Sequence, residues 1–325
     1  LLTLPVSGSS NRQRDVLTIN HPDVGPNRMK ILTPLLVTVA LAAATVELQT
    51  NPTAPARPGT SCPAQACYVV KRISFSAVHP QQTARPRIRF WESTSGNWSG
   101  YAVPLETSGV TDTFSDVQGT WTVPTVTGVT GNTSATYSSS WVGLDGYTSG
   151  TVEQIGTEQD WTGRARQYYV WFEMYPSGAY EIEGFPVNPG DSISAQVQYV
   201  GQTSVQVGRG KSELESVFQL TIENTTKQAS FSIPTSYTTV ASAARTSAEW
   251  VEEAPSSRQI LPLADFGAVN FSNCEAASVH SGGKLAPINL WTPDPLTMID
   301  PNGGESVPTS LSANGEAFSV SWSAK

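Results

Sequence analysis

"YYVWFEMYP" runs from Tyr168 to Pro176. Side chains alternate across a β-strand, so Val170, Phe172 and Met174 share one face. Tyr169, Trp171, Glu173 and Tyr175 share the other. The first set is a plain core face. The second is an aromatic floor carrying one carboxylate, which suits a cleft that grips a polymer.

The texture around it is similar. "GTWTVP" (119–124), "SSSWVGL" (138–144), "SISAQVQYV" (192–200), "SVFQLTIEN" (216–224), "AEWVEE" (248–253) and "AFSVSWS" (317–323) are short runs rich in Val, Thr and aromatics. Gly, Asn, Asp and Ser turns separate them, and no long helical period intervenes. Many short strands at this spacing predict an all-β antiparallel sandwich or barrel. From residue 94 to 325 it forms a single domain.

The front of the chain differs. Lys30 is followed by the uncharged "ILTPLLVTVALAAATV" (31–46). That run is short for a membrane span, which needs about 20 residues. Its basic start, apolar middle and small-residue end match a secretory signal peptide. With Met29 directly before Lys30, residues 29–46 are assigned to the signal and 1–28 to upstream sequence or an extended basic region. Residues 47–93 are rich in Pro, Arg and polar residues, a composition that disfavours a packed core.

Charge divides at the same place. Residues 1–93 carry ten Lys/Arg against four acids, and residues 94–325 carry nine against 23. A basic front and an acidic rear attract each other, so 47–93 is expected to act as a basic propeptide covering an acidic cleft. An acidic rear argues against nucleic acid as a partner. It also carries few cations to repel one another in acid. Cys62, Cys67 and Cys274 imply no disulfide framework, and no metal-ligand cluster accompanies them.

Most catalytic signatures are absent: no HExxH, GxSxG, Walker or GxGxxG motif occurs. His280 is the single histidine after residue 93 and lies in a turn-like "SVHSGGK". Carboxylates and amides are the remaining candidates for chemistry. In 248–253, Glu249, Val251 and Glu253 share a face opposite Ala248, Trp250 and Glu252. In "VEQIGTEQDW" (152–161), Val152 and Gln154 lie opposite Glu153 and Ile155.

Five ordered pieces resemble the glutamic peptidase (eqolisin) family: "SGNWSGYAV" (95–103), "WVGLDG" (141–146), "EQIGTEQDW" (153–161), "VWFEMYP" (170–176) and "RTSAEWVEEAP" (245–255). The lone Cys274 resembles the bacterial branch. The resemblance implies a two-sheet, lectin-like β-sandwich, a signal peptide, an inhibitory propeptide and acid activity outside the cell. It implies a catalytic pair at Gln154 and Glu253, with Glu173, Asp145, Trp141, Trp171, Trp98 and Glu249 lining or supporting the cleft. Polypeptides are the implied substrates of a monomer that uses no metal or cofactor and, once the signal is removed, no membrane. Glu252 departs from the pattern, standing where an apolar residue is usual. Two glutamates in an aromatic cleft also fit a glycosidase using Glu173 and Glu253, or a glycan-binding module without catalysis.

Overall fold

The computed structural model describes residues 68–73, 93–105, 112–128, 133–257 and 259–324. The proposed signal peptide and most of the proposed propeptide, with Cys62 and Cys67, lie outside them. The first nine strands are β1 (Val69–Arg72), β2 (Ser93–Ser95), β3 (Trp98–Pro104), β4 (Phe114–Thr122), β5 (Thr136–Leu144), β6 (Val152–Trp161), β7 (Arg166–Tyr175), β8 (Tyr180–Glu183) and β9 (Ser192–Gly208). The next nine are β10 (Lys211–Asn224), β11 (Ala229–Ser232), β12 (Thr239–Ala241), β13 (Ser247–Glu253), β14 (Ala268–Ser278), β15 (Ala286–Pro287), β16 (Asp294–Ile299), β17 (Gly304–Pro308) and β18 (Phe318–Ala324). Among the described residues the helical elements are two 3-10 turns.

The strands form two layers. The front layer runs β1–β8–β7–β6–β5–β13–β3–β16–β2. The back layer runs from β10, flanked by β11 and β12, through β9, β4, β14 and β18 to β17. β16 pairs with β17, so the layers are hydrogen-bonded to each other along one side. Among the described strand pairings only β2 on β16 is parallel. The expected antiparallel sandwich is present, closed at one edge by a strand that belongs to both layers.

The core follows from strand parity. Val142, Ile155, Phe172 and Trp250 of the front layer pack with Val117, Trp121, Val197, Phe218 and Phe271 of the back layer. Trp250 Nε1 donates to the Gln118 carbonyl at 2.7 Å. Gly119 makes room for that ring, because a Cβ there would lie 2.8 Å from Trp250. Trp121 Nε1 donates to Thr157 Oγ1 at 2.9 Å, so this interlayer contact satisfies a buried polar pair.

Glu252 belongs to this interior and not to the cleft. It alternates with Val251 and Glu253, is buried, and accepts from Ser140 Oγ at 2.5 Å. The Ser138 hydroxyl and Gln159 amide lie alongside. Burial pushes its pKa up to about 8, against the opposing pull of these donors.

Candidate active site

The outer face of the front layer carries a second apolar cluster: Trp98, Ala102, Trp141, Tyr169, Trp171, Val251 and Leu296. This is the aromatic floor expected from the alternation in β7. The Trp98 and Trp141 rings meet edge to face, with centroids 4.9 Å apart. Between Trp141 and Trp171 stands Gly156, in register with both. A Cβ at Gly156 would lie 2.5 Å from Trp141 Cβ, so only a glycine leaves room for that side chain's root.

The polar groups stand in rows across the floor. One row reads Glu249, Gly143, Gln154, Glu173 along β13, β5, β6 and β7. The next row of that face is Val251, Trp141, Gly156, Trp171, and the one beyond is Glu253, Ser139, Glu158, Tyr169. Gln154 and Glu253 therefore share a face, two strands and four residues apart, with Trp141 and Gly156 between them.

Each member of the expected pair is held by a neighbour. Gln154 Nε2 donates to Glu173 Oε2 at 2.9 Å, while its buried Oε1 has no hydrogen-bond partner. Glu253 accepts from Trp141 Nε1 at 2.8 Å through Oε2 and from Asn97 Nδ2 at 3.0 Å through Oε1. Asn97 is placed by the short link between β2 and β3, where its carbonyl accepts from Ala254 N at 2.8 Å. Asn97 was visible in the Asn-Trp-Ser motif, but nothing in the sequence showed which carboxylate it would reach.

Asp145 is a structural support. It sits at φ 68°. Its Oδ2 accepts from Arg245 N at 2.6 Å and its Oδ1 from Thr246 N at 2.9 Å. That ties the end of β5 to the entry of β13 and so fixes the register of the rows. Trp171 lies on the floor. Glu249 is buried, and burial followed by the charge of Asp145 raises its pKa well above the usual range; Ser247 and the Tyr147 N–H oppose this only in part.

Sequence reading missed a second carboxyl pair, Glu158 and Asp160, on the Glu253 side of the floor. Both are buried. Burial drives Glu158 well up and Asp160 to about 7, and a hydrogen bond joins them. The alternation of β6 already placed Glu158 and Asp160 with Gln154, so the signal was available. His280 lies in an exposed turn, and no group of metal-ligating residues occurs among the described residues.

The arrangement is a long apolar floor with an oriented amide and an oriented carboxylate. The sequence profile of the peptidase A4 family matches residues 96–322, a span that contains every one of these groups. The chain belongs to the peptidase A4 family. It is a glutamic peptidase, a hydrolase acting on peptide bonds. Aspergillopepsin-2 from Aspergillus niger is 29% identical over 249 residues, covering 71% of this chain and 79% of that protein. The crystal structure of scytalido-glutamic peptidase with a transition state analog inhibitor superposes with a TM-score of 0.52 at 26% identity. That match covers 70% of this chain and 98% of the other. A second structure of the same peptidase, with a peptide based transition state analog, gives 0.51 at 26% identity over the same shares. Membership of the peptidase A4 family favours a peptidase over the glycosidase and over the glycan-binding module without catalysis.

Proposed function

We propose that this glutamic peptidase is a secreted acid endopeptidase in which Gln154 and Glu253 act on one water and one scissile carbonyl. The observation that carries the reading is that both side chains stand on the aromatic floor, each oriented by a donor or acceptor of its own.

Glu253 takes the proton from the water as it attacks the carbonyl carbon, then returns it to the departing amine nitrogen. Gln154 Oε1, otherwise without a partner, accepts from the water. The amide's second N–H donates to the oxyanion that forms. A neutral amide suits this place because it offers donor and acceptor without a charge that would repel the oxyanion. One such donor is worth about 3 kcal/mol of barrier. Glu253 is favoured over the other cleft glutamate of β13 because two donors orient its carboxyl group, whereas burial disfavours the charged form of Glu249.

The basic segment 47–93 is the proposed inhibitor, following a signal at 29–46 and preceding the catalytic domain at 94–325, which works as a monomer. Digestion of a denatured protein from pH 2 to 7, with and without an aspartic-protease inhibitor, tests the reading. Inhibitor-resistant cleavage strongest in acid is expected. Absence of cleavage across the range contradicts it.

A further inference from the structure

We propose that the outer edge of β8 is a strand-docking site for extended polypeptide substrates, occupied in this chain by Val69–Arg72. The proposal rests on the peptidase reading and extends it from the reacting atoms to the substrate's flanking residues.

Val69, Val70, Lys71 and Arg72 pair antiparallel with Glu183, Ile182, Glu181 and Tyr180, and Ile73 N donates to the Ala179 carbonyl at 3.0 Å. Apart from this segment, β8 pairs only with β7 among the described strands, so without it β8 is an open sheet edge. The side chains alternate as a bound strand's should. Tyr68 packs on Phe185 and Phe231, Val70 on the interior cluster, and Ile73 on the floor that holds Tyr169, Trp171 and Val251. A chain held this way is delivered onto the aromatic floor at the position of Ile73, on the Trp171 side of the proposed dyad.

The hold is weak in kind. Three of the four strand residues are exposed, Val69 by 56%. The Lys71–Glu183 ion pair, at 3.7 Å, joins two largely solvated groups and contributes little. Backbone bonds supply most of the attachment, and these are indifferent to sequence. Another extended chain with apolar side chains at the positions of Val70 and Ile73 makes the same bonds. Strand exchange therefore costs little, as a site for varied substrates requires.

The test uses the full chain with Lys71→Pro. Ile73 N aims at β8, so Lys71 N, two residues before it on the same strand, aims there too, and the proline deletes that ladder bond. The probe is a labelled peptide, Tyr-Val-Val-Lys-Arg-Ile, read by anisotropy at neutral pH with amide hydrogen exchange in parallel. Tyr180–Glu183 should lose protection in the freed variant while Val170–Met174 keep theirs. The probe should bind that variant about tenfold more tightly than the unchanged chain. An unfolded polypeptide should displace it, and a probe with proline in place of its lysine should not bind. If a proline variant loses protection in β7 as well, Ile73→Asp takes its place as the detaching change. Failure of the probe to bind a chain with a freed β8 overturns the proposal, as does failure of unfolded polypeptide to displace it. Both readouts are independent of cleavage, so an inactive chain that still binds would sink the peptidase reading alone.

Discussion

Gln154 and Glu173 face each other across β6 and β7, and the amide Nε2 donates to Glu173 Oε2 at 2.9 Å. This contact decides which way the amide points. Glu173→Ala should lower kcat about 10²-fold, the scale of a misplaced catalytic group, with KM nearly unchanged. Glu173→Gln, which keeps an acceptor in place, should restore most of the rate. Steady-state kinetics on one peptide substrate separates this positioning role from a fold defect, which both variants would share.

Trp141 links the floor to the chemistry through Nε1, which donates to Glu253 at 2.8 Å. Phenylalanine keeps most of the ring's packing and removes the donor. A hydrogen bond to a charged group contributes about 1.5–3 kcal/mol. Trp141→Phe should therefore cost roughly 10–100-fold in kcat/KM, with a shifted pH profile and a melting temperature close to the parent's.

Stability should be greatest in acid. A carboxyl harder to ionise folded than unfolded binds its proton more tightly in the native state. Its stabilisation is complete below the unfolded value and lost above the folded one. For Glu252 that window runs from 4.5 to about 8, and for Asp160 from 3.8 to about 7. Glu153, Glu158 and Glu249 shift in the same direction, each because burial disfavours its charge. Within its window each group removes about 1.4 kcal/mol per pH unit. Calorimetry should find the melting temperature highest near pH 4 and falling steadily to pH 8. Glu252→Gln, neutral throughout, should flatten the fall while changing little at pH 4.

Gly156 has no space for a side chain: a Cβ would lie 2.4 Å from the Ser140 carbonyl oxygen as well as 2.5 Å from Trp141 Cβ. Gly156→Ala should destabilise the domain by about 1–3 kcal/mol or more. It should also depress activity beyond that loss, because Trp141 must move. Denaturant unfolding beside kinetics at a temperature where the variant stays folded checks both halves.

Alternation made much of this legible. Val170, Phe172 and Met174 against Tyr169, Trp171 and Glu173 already separated core from floor, and Trp250 against Glu249 and Glu253 did so on β13. Parity also put Glu252 in the interior, where the Ser140 hydroxyl explains an acid at an apolar position. What parity cannot give is register. It left Glu249 and Glu253 equivalent, because both face the floor. Only the pairing of β13 with β5 shows that one stands in Gln154's row and the other beside Asn97 and Trp141. The closure of the two layers through β16 and β17 was hidden for the same reason, since short strands do not announce their partners. The docking of Val69–Arg72 was masked by composition: its flanks read as unpackable, and four residues of edge strand bury too little to stand out.

The central claim is that Gln154 and Glu253 work as one unit on a shared water. Single-turnover rates of Gln154→Ala, Glu253→Gln and the double variant, each verified as folded, test it most directly. Groups that act together are strongly non-additive. Each single change is therefore expected to lower the rate by about 10²-fold or more, with the double variant no slower than the worse single. Near-normal turnover of Gln154→Ala, or two losses that simply multiply, would contradict the claim.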